Sequence, residues 1–274
     1  MSTANKNNVT IGVPVFNGAS LIEQSLQSLC DDQLIKMKMV IYDNASSDET
    51  AQICQEFVQK DPRFAYVRNE QNIGAIGNFR KALASCETKY FAWRAYDDFS
   101  NPRYFTVLQG LLDENERAVL AAPDILTIKM ARSKQRARPF KGGKGPVALL
   151  RHSQAAWIYG LFRTEFLQKA HTHVSENYPY LWASDHLVLF HAILREGVVG
   201  SGEAVFTQRD AGTGQNACQP QGLSEKKAVM SAYYHYCMTL MDEAELSRGQ
   251  RTLLQLAVMR HINRRVVRLC KLLL

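Results

Sequence analysis

The chain has 274 residues, 46% of them apolar, and a formal net charge of +7. This composition excludes a largely disordered chain and supplies one sizeable core with a helical appendage. No run reaches the ~20 apolar residues that cross a bilayer, the polar start MSTANKNN has no signal-like apolar core, and six scattered cysteines without a C-x-x-C spacing favour free thiols in a reducing compartment over a zinc or redox site.

In chain order, residues 9–15 (VTIGVPV) form a short apolar run bounded by Pro14, Asn17 and Gly18, which predicts a buried strand ending in a turn. In residues 19–29, Ile22, Leu26 and Leu29 share one helical face. Residues 38–42 (KMVIY) predict a second buried strand ending at Asp43, and Asp48 is placed to cap the helix ETAQICQEFVQK. Residues 64–67 predict a third strand, 75–86 a helix, and 90–93 a fourth strand running into Tyr96-Asp97-Asp98. Asn101-Pro102 then opens another helix. Such alternation favours an α/β fold with a mainly parallel sheet covered on both faces, whose ligands sit at the carboxyl ends of strands. Asn17, Asp43 and Asp97-Asp98 all fall at those ends.

The second half is less regular. Residues 129–144 (KMARSKQRARPFKGGK) carry seven Lys or Arg and no acid, and with Pro139 and Gly142-Gly143 they predict a mobile loop. Such a loop either closes over a diphosphate or is simply solvated. Residues 157–162 predict a strand, Asp185 opens a helix that Gly197 closes, and 198–206 return as one or two strands. From Ser224 the chain reads as helix to its end. Residues 251–274 carry six basic residues and no acid, with Leu256, Met259, Ile262, Val266, Leu269 and Leu273 near helical spacing. That pattern suits a helix lying on an anionic membrane, and equally one packed on the catalytic domain or on a second copy of the chain as a homodimer.

Adjacent carboxylates repel unless a cation or a donor compensates them. A hard divalent ion takes one or two carboxylates plus phosphate oxygens, so Asp97-Asp98 is a candidate site for Mg2+ or Mn2+. A solvated loop with Asp98 capping the next helix explains the same two residues. Asp43 either accepts hydrogen bonds from a base or sugar or only shapes a turn. Asn72-x-Gly74-x-x-Gly77-Asn78 lacks the spacing of a dinucleotide loop, and Gly74 reads as a point where backbone approaches a ligand. Asp185 can be an N-cap on the helix dipole. Trp182 reads as a packing residue or a sugar platform, and His186 is the histidine worth testing.

Together these segments resemble glycosyltransferase family 2. The resemblance spans roughly the first two hundred residues. It is carried by Val13-Pro-Val-Phe-Asn17, Tyr42-Asp-Asn-Ala-Ser-Ser-Asp48, Asn72-Ile-Gly-Ala-Ile-Gly-Asn-Phe79, Lys89-Tyr-Phe-Ala-Trp93 leading to Asp97-Asp98, Tyr159-Gly-Leu-Phe-Arg163 and Ser184-Asp185-His186-Leu187. It implies a GT-A catalytic domain over 1–215, with a donor half at about 1–125 and an acceptor half at about 126–215. A C-terminal helical extension follows over 216–274. It implies that Pro14, Val15, Phe16, Asn17, Asp43, Asn72, Gly74, Asn78 and Asp97 bind the donor nucleotide and that Asp98 is the metal ligand. Asp185 would be the catalytic base of an inverting transfer from a nucleotide-sugar donor to a glycan or lipid-linked acceptor. Arg80, Arg209, Trp182 and His186 are candidate diphosphate or acceptor contacts. One departure concerns the metal shell: Arg209 fits the family pattern, but the position of the following histidine holds Ala211, so Asp210 or water would complete the shell.

Two other classes stay open. A sugar nucleotidyltransferase also uses carboxylates and Mg2+, but its glycine- and arginine-rich opening loop is replaced here by Pro-Val-Phe-Asn. A nucleic-acid-binding protein would use the positive charge, yet the basic residues are not interleaved with aromatics, so no nucleic acid is expected. The expected location is cytoplasmic, or peripheral on the inner face of the cytoplasmic membrane.

Overall fold

The computed structural model describes residues 8–32, 34, 36–129, 134–210 and 218–267. Strand β1 (Val9–Val15) is buried along its whole length. It runs parallel between β2 (Met37–Asp43) and β4 (Tyr90–Trp93), and β3 (Phe64–Arg68) runs parallel beside β2. A strand covered on both faces has no solvent side, which is why its sequence is an unbroken apolar run. Helices α1 (Ile22–Cys30), α2 (Thr50–Lys60) and α3 (Gly74–Ala84) make the connections, and α1 buries the predicted face of Ile22, Leu26 and Leu29.

Beyond β4 the chain adds β5 (Phe99–Ser100), α4 (Tyr104–Glu114), β6 (Leu120–Lys129), β7 (Lys134–Arg138), β8 (Leu161–Arg163) and β9 (Val198–Asp210). The sheet order is β3-β2-β1-β4-β8-β6-β9-β5, with β7 paired to β6. The parallel half therefore ends at β4. Strand β8 runs antiparallel to β4 and β6, β7 to β6, and β5 to β9.

Four local expectations need correction. Asp48 is not the cap of α2: Glu49 holds that position, and the Asp48 carboxylate instead accepts the backbone N–H groups of Ala19 and Thr50, both at 3.1 Å. Asp98 does not cap the next helix, since α4 begins at Tyr104 after Arg103. Residues 157–162 are not one strand. A 3-10 turn (Ala155–Tyr159) precedes β8, with Trp157 fully buried. The described part of the basic segment is strand rather than loop, because β7 is an exposed hairpin partner of β6. Ladder bonds use backbone only, and an edge strand carrying Lys and Arg resists further pairing. Its sequence lacks any apolar alternation and so carries no strand signal.

Contacts divide the chain into two compact units. One comprises Met1–Phe140, Tyr159–Gln168 and Val199–Gly212 and contains nearly all of the sheet. The other comprises Lys141–Ile158, Lys169–Val198 and Thr213–Leu274 and is largely helical. The expected boundary at 215/216 falls among residues outside those described.

Within the helical unit, α5 (Pro146–His152) and α7 (Ser184–Leu194) precede α8 (Gly222–Asp242), α9 (Arg248–His261) and a π-helical turn (Ile262–Val266). Every residue of α7 from His186 to Ile193 is buried, so the helix has no polar face. Helix α9 starts with a capping box in which Ser247 and Gln250 exchange hydrogen bonds. The predicted apolar stripe at the C-terminus is split between two faces. Ile262 and Val266 are buried with Leu254 and Val258, while Leu253, Leu256 and Met259 are exposed on the side that carries Arg260 and Arg264. Leu269 and Leu273 lie outside the described residues. No helix among the described residues is long and apolar enough to cross a membrane.

Candidate active site

The sheet opens where β1 loses one neighbour. Strand β1 pairs with β2 as far as Val15 opposite Asp43, but with β4 only as far as Gly12 opposite Trp93. The Arg94 N–H closes that side by donating to the Gly12 carbonyl at 2.9 Å. Pro14 has no N–H to continue the ladder. Beyond it lies a cleft of about 310 Å³. Five predicted residues line it, namely Pro14, Val15, Phe16, Asn78 and Asp97, together with Asn44, Tyr96 and Tyr159. A larger depression of about 520 Å³, bordered by Lys38, Lys81 and Lys89, contains none of the predicted residues.

Asp97 and Asp98 sit in the turn after β4. Asp98 is 5% exposed. Burial, and then the Asp97 charge, push its carboxyl up to about 7, against the pull of the Arg209 N–H and of Arg94. Burial also raises Asp97. Burial thus disfavours the charged form of both carboxyls, and a bound cation would favour it. Among the described residues no three His, Cys, Asp or Glu side chains gather into a metal cage. Two carboxylate groups alone fit a hard ion that completes its shell with phosphate oxygens and water.

Arg209, near the end of β9, clamps this turn. Its backbone N–H donates to Asp98 Oδ1 at 2.8 Å. Its guanidinium donates to the carbonyls of Asp97 and Leu21 and to Gln24 Oε1. The side chain expected to meet a diphosphate is therefore engaged in holding the acidic turn in place. Asp210 ends β9, and Ala211 lies outside the described residues.

Sequence reasoning missed Arg94. It is wholly buried, its guanidinium carbon 5.2 Å, 5.4 Å and 5.7 Å from the rings of Phe206, Tyr104 and Phe105, and it donates to Ser100 Oγ at 2.6 Å. An arginine following a strand carries no hint that an aromatic cage will enclose it.

Asp43 is completely buried at the tip of β2. One carboxylate oxygen accepts the Ser46 N–H at 2.9 Å, and the other accepts the Tyr66 hydroxyl and Arg68 Nη1, each at 2.5 Å. Turn chemistry is thus part of its role. Asn17 joins the first two strand ends: its N–H donates to Ser46 Oγ at 3.0 Å, and its side-chain oxygen accepts the Ser47 N–H at 2.8 Å. Its φ of 49°, like the 64° of Ala45, is the left-handed conformation that non-glycine residues adopt at a cost. Gly18 is required by packing, because a Cβ there would lie 2.6 Å from the Tyr96 ring.

Asn72 and Asn78 belong to an asparagine network. Asn72 Oδ1 accepts Asn44 Nδ2 at 2.7 Å and the Gly74 N–H at 2.8 Å. Asn69 Nδ2 donates to Asn44 and Asn78, and Asn78 Nδ2 donates to the Tyr42 carbonyl at 2.7 Å. These bonds fix the start of α3 against the end of β2. Gly74 has a φ of +77°, a conformation that favours glycine, and a Cβ added there would meet no protein atom within 4 Å. Asn44 stands inside the motif that follows β2, whereas nothing in the sequence singles out Asn69. Arg80 is exposed on α3.

In the helical unit, Ala183 holds the cap position of α7 at φ 64°, and Asp185 follows in the first turn. Asp185 is therefore not the N-cap. It keeps some solvent contact, but the surrounding protein raises its carboxyl to about 6, and the backbone N–H of His186 offsets part of that rise. His186 is buried, with its ring centre 4.9 Å from that of His261; burial, then Arg265, lowers it to about 4. Trp182 is half-buried and donates its indole N–H to the Val266 carbonyl at 2.7 Å.

Residues 10–179 match the family model described as Glycosyl transferase family 2. The chain is 27% identical over 95 residues to chondroitin synthase of Escherichia coli, covering 34% of this chain and 14% of that one. It spans about a third of the length of the first curated relatives it matches. In structure it resembles S. aureus TarS 1–349 in complex with UDP-GlcNAc, with TM-score 0.70, 16% identity and coverage of 93% of this chain and 72% of that chain. It also resembles mannosyltransferase PcManGT from Pyrobaculum calidifontis in complex with GDP-Man and Mn2+, with TM-score 0.59, 14% identity and coverage of 93% and 70%. At these identities the likeness concerns the fold, here a curled α/β sheet flanked by helices.

Proposed function

Because the chain belongs to glycosyl transferase family 2, we propose that it moves a sugar from a nucleoside diphosphate sugar to a hydroxyl of a glycan or lipid-linked acceptor, with inversion at the anomeric carbon. The observation that carries this reading is the cleft at the parted ends of β1 and β4, with Asp97 on its wall and the buried Asp98 next to it in sequence. The nucleotide enters this cleft. Asp43 faces the base, Asp97 the ribose, and the asparagine network keeps the cleft walls in register. Asp98 holds Mg2+ or Mn2+ with the donor phosphates. A divalent ion bound there supplies the charge that a departing diphosphate needs.

Asp185 takes the proton of the acceptor hydroxyl. As that oxygen bonds to the anomeric carbon, the bond from carbon to phosphate oxygen breaks, and its electron pair leaves with the nucleoside diphosphate. A carboxyl near 6 is ionised at neutral pH and is a stronger base than one near its ordinary value. His186 and Trp182 border this acceptor side. The likeness to chondroitin synthase supports a polysaccharide as the acceptor class. The exposed Leu253, Leu256 and Met259, flanked by Arg260 and Arg264, support docking of α9 on an anionic membrane surface.

The test pairs binding with turnover. UDP, GDP, dTDP and CDP are screened by thermal shift with and without Mn2+, and the matching sugar nucleotides are then followed for product. Release of nucleoside diphosphate supports the transferase, whereas release of pyrophosphate would identify a nucleotidyltransferase.

A further inference from the structure

The walls of the cleft beside the acidic turn include the rings of Phe16, Phe79, Tyr96 and Tyr159. Phe16 follows the end of β1, the Phe79 ring lies 6.1 Å from that of Trp93, and the Tyr96 ring packs over Gly18. Tyr159 stands on the far side. It ends the 3-10 turn that runs on into β8 and then helix α6 (Thr164–Asn177). Strand β8 is antiparallel to β4, with Phe162 opposite Phe91. The residues just before β8 therefore lie beside the end of β4, where the acidic turn begins. Along the sheet order β2-β1-β4-β8, Asp43 closes β2 on one side and Tyr159 precedes β8 on the other.

The Tyr159 ring is anchored through both its face and its backbone. It stacks on Phe206 with ring centres 4.9 Å and planes 13° apart, and Phe206 is wholly buried. The Tyr159 carbonyl accepts the hydroxyl of Tyr104, also wholly buried, at 2.9 Å. The same Phe206 ring has the Arg94 guanidinium 5.2 Å from its centre. Arg94 Nε and Nη1 have no hydrogen-bond partner among the described residues, so the aromatic faces around it help to offset its buried charge. Phe206, and with it Tyr159, is thereby tied to the residue that starts the acidic turn. A half-buried ring held in this way loses little freedom when a ligand covers it. A sugar ring suits such a surface. Its C–H face is apolar and weakly positive, the face of an aromatic ring is weakly negative, and the sugar hydroxyls at the edge stay free for polar partners.

We propose that Tyr159 is the platform on which the sugar ring of the donor stacks, and so a specificity-determining residue of the transfer. This deepens the function proposed above and rests on it: with the base at Asp43 and the diphosphate at Asp98, the sugar continues along the sheet toward β8, where Tyr159 stands.

The test compares each nucleoside diphosphate with its own sugar nucleotide by calorimetry with Mn2+ present: UDP against UDP-glucose and UDP-N-acetylglucosamine, and GDP against GDP-mannose. Tyr159→Leu keeps the apolar bulk and removes the ring face. It should leave the Kd of the nucleoside diphosphate within about twofold and weaken the sugar nucleotide by about tenfold, and Tyr159→Phe should keep the wild-type ratio of the two. A ratio unchanged in Tyr159→Leu would overturn the inference and leave the nucleotide site standing. Diphosphate binding in wild type without binding of any of these sugar nucleotides would also overturn it. Binding of no nucleoside diphosphate would remove the function proposed above, and this inference with it. If Tyr159→Leu does not fold, saturation-transfer NMR decides: irradiation of tyrosine ring protons should reach the sugar-ring protons in wild type and should not in Tyr159→Phe, and equal transfer in both would overturn the platform.

Discussion

The backbone N–H of Arg209 donates to the Asp98 carboxylate at 2.8 Å, joining residues 111 positions apart in sequence. The last long strand thereby fixes the turn that carries the acidic pair. The Arg209 side chain adds bonds to the carbonyls of Asp97 and Leu21. Arg209→Met keeps the backbone donor and removes the side-chain clamp. It should cost about 1–3 kcal/mol, since buried carbonyls lose their donors. It should also weaken the Mn2+-dependent part of any nucleotide thermal shift more than the metal-free part. Equal weakening of both would argue against a clamp on the metal side.

Ala183 is held at φ 64° directly before the helix of Asp185. An L-residue there costs roughly 1–2 kcal/mol relative to glycine, part of which the greater freedom of an unfolded glycine takes back. Ala183→Gly should therefore raise stability in urea by up to about 1 kcal/mol. A loss of stability would mean that the Ala183 methyl contributes packing that outweighs the strain.

Asn78 is 2% exposed and bridges Asn69 and the Tyr42 carbonyl. Asn78→Leu is nearly isosteric but removes the acceptor of one Asn69 N–H and the donor to the Tyr42 carbonyl, so it should cost about 1–3 kcal/mol. Nucleotide binding should weaken as well, since the cleft wall loses its anchor. A variant of unchanged stability would show that these bonds contribute little.

His186 and His261 are held neutral, lowered by burial to about 4 and about 3. Their folded values lie below the ordinary value near 6.5, so the unfolded chain binds more protons in the interval between. The stability they contribute is complete above about 6.5 and is lost as pH falls toward 4, each unit of separation being worth about 1.4 kcal/mol. Urea midpoints should fall steadily over that interval. His261→Phe should flatten the fall, and an unchanged slope would contradict burial in the neutral form.

Leu253, Leu256 and Met259 are each more than half exposed on α9. Changing all three to glutamate should abolish sedimentation with anionic vesicles while leaving the melting temperature within about a degree, because the substituted face is not packed. Undiminished vesicle binding would remove the membrane docking.

Much of the parallel half was legible in the sequence, because a strand buried on both faces writes itself as an unbroken apolar run, as in Val9–Val15. The acidic pair was legible because strand ends place polar residues where ligands bind. The β6–β7 hairpin was not, since its pairing is carried by backbone under Lys and Arg side chains. Neither was Arg94, whose cage comes from Tyr104, Phe105 and Phe206. The basic C-terminal pattern reads as one amphipathic stripe, and packing divides it into a buried face with Ile262 and Val266 and an exposed one with Leu256 and Met259.

The most direct test of the central claim is the melting temperature of the protein with UDP or GDP, with and without Mn2+, in wild type and in Asp98→Asn. A nucleotide bound selectively by the folded state should raise the wild-type melting temperature by several degrees, more with Mn2+ than without. Asp98→Asn should keep the metal-free shift and lose the Mn2+ increment. A flat response to all four nucleoside diphosphates, or an increment undiminished in Asp98→Asn, would contradict a nucleotide-sugar site built on the acidic pair.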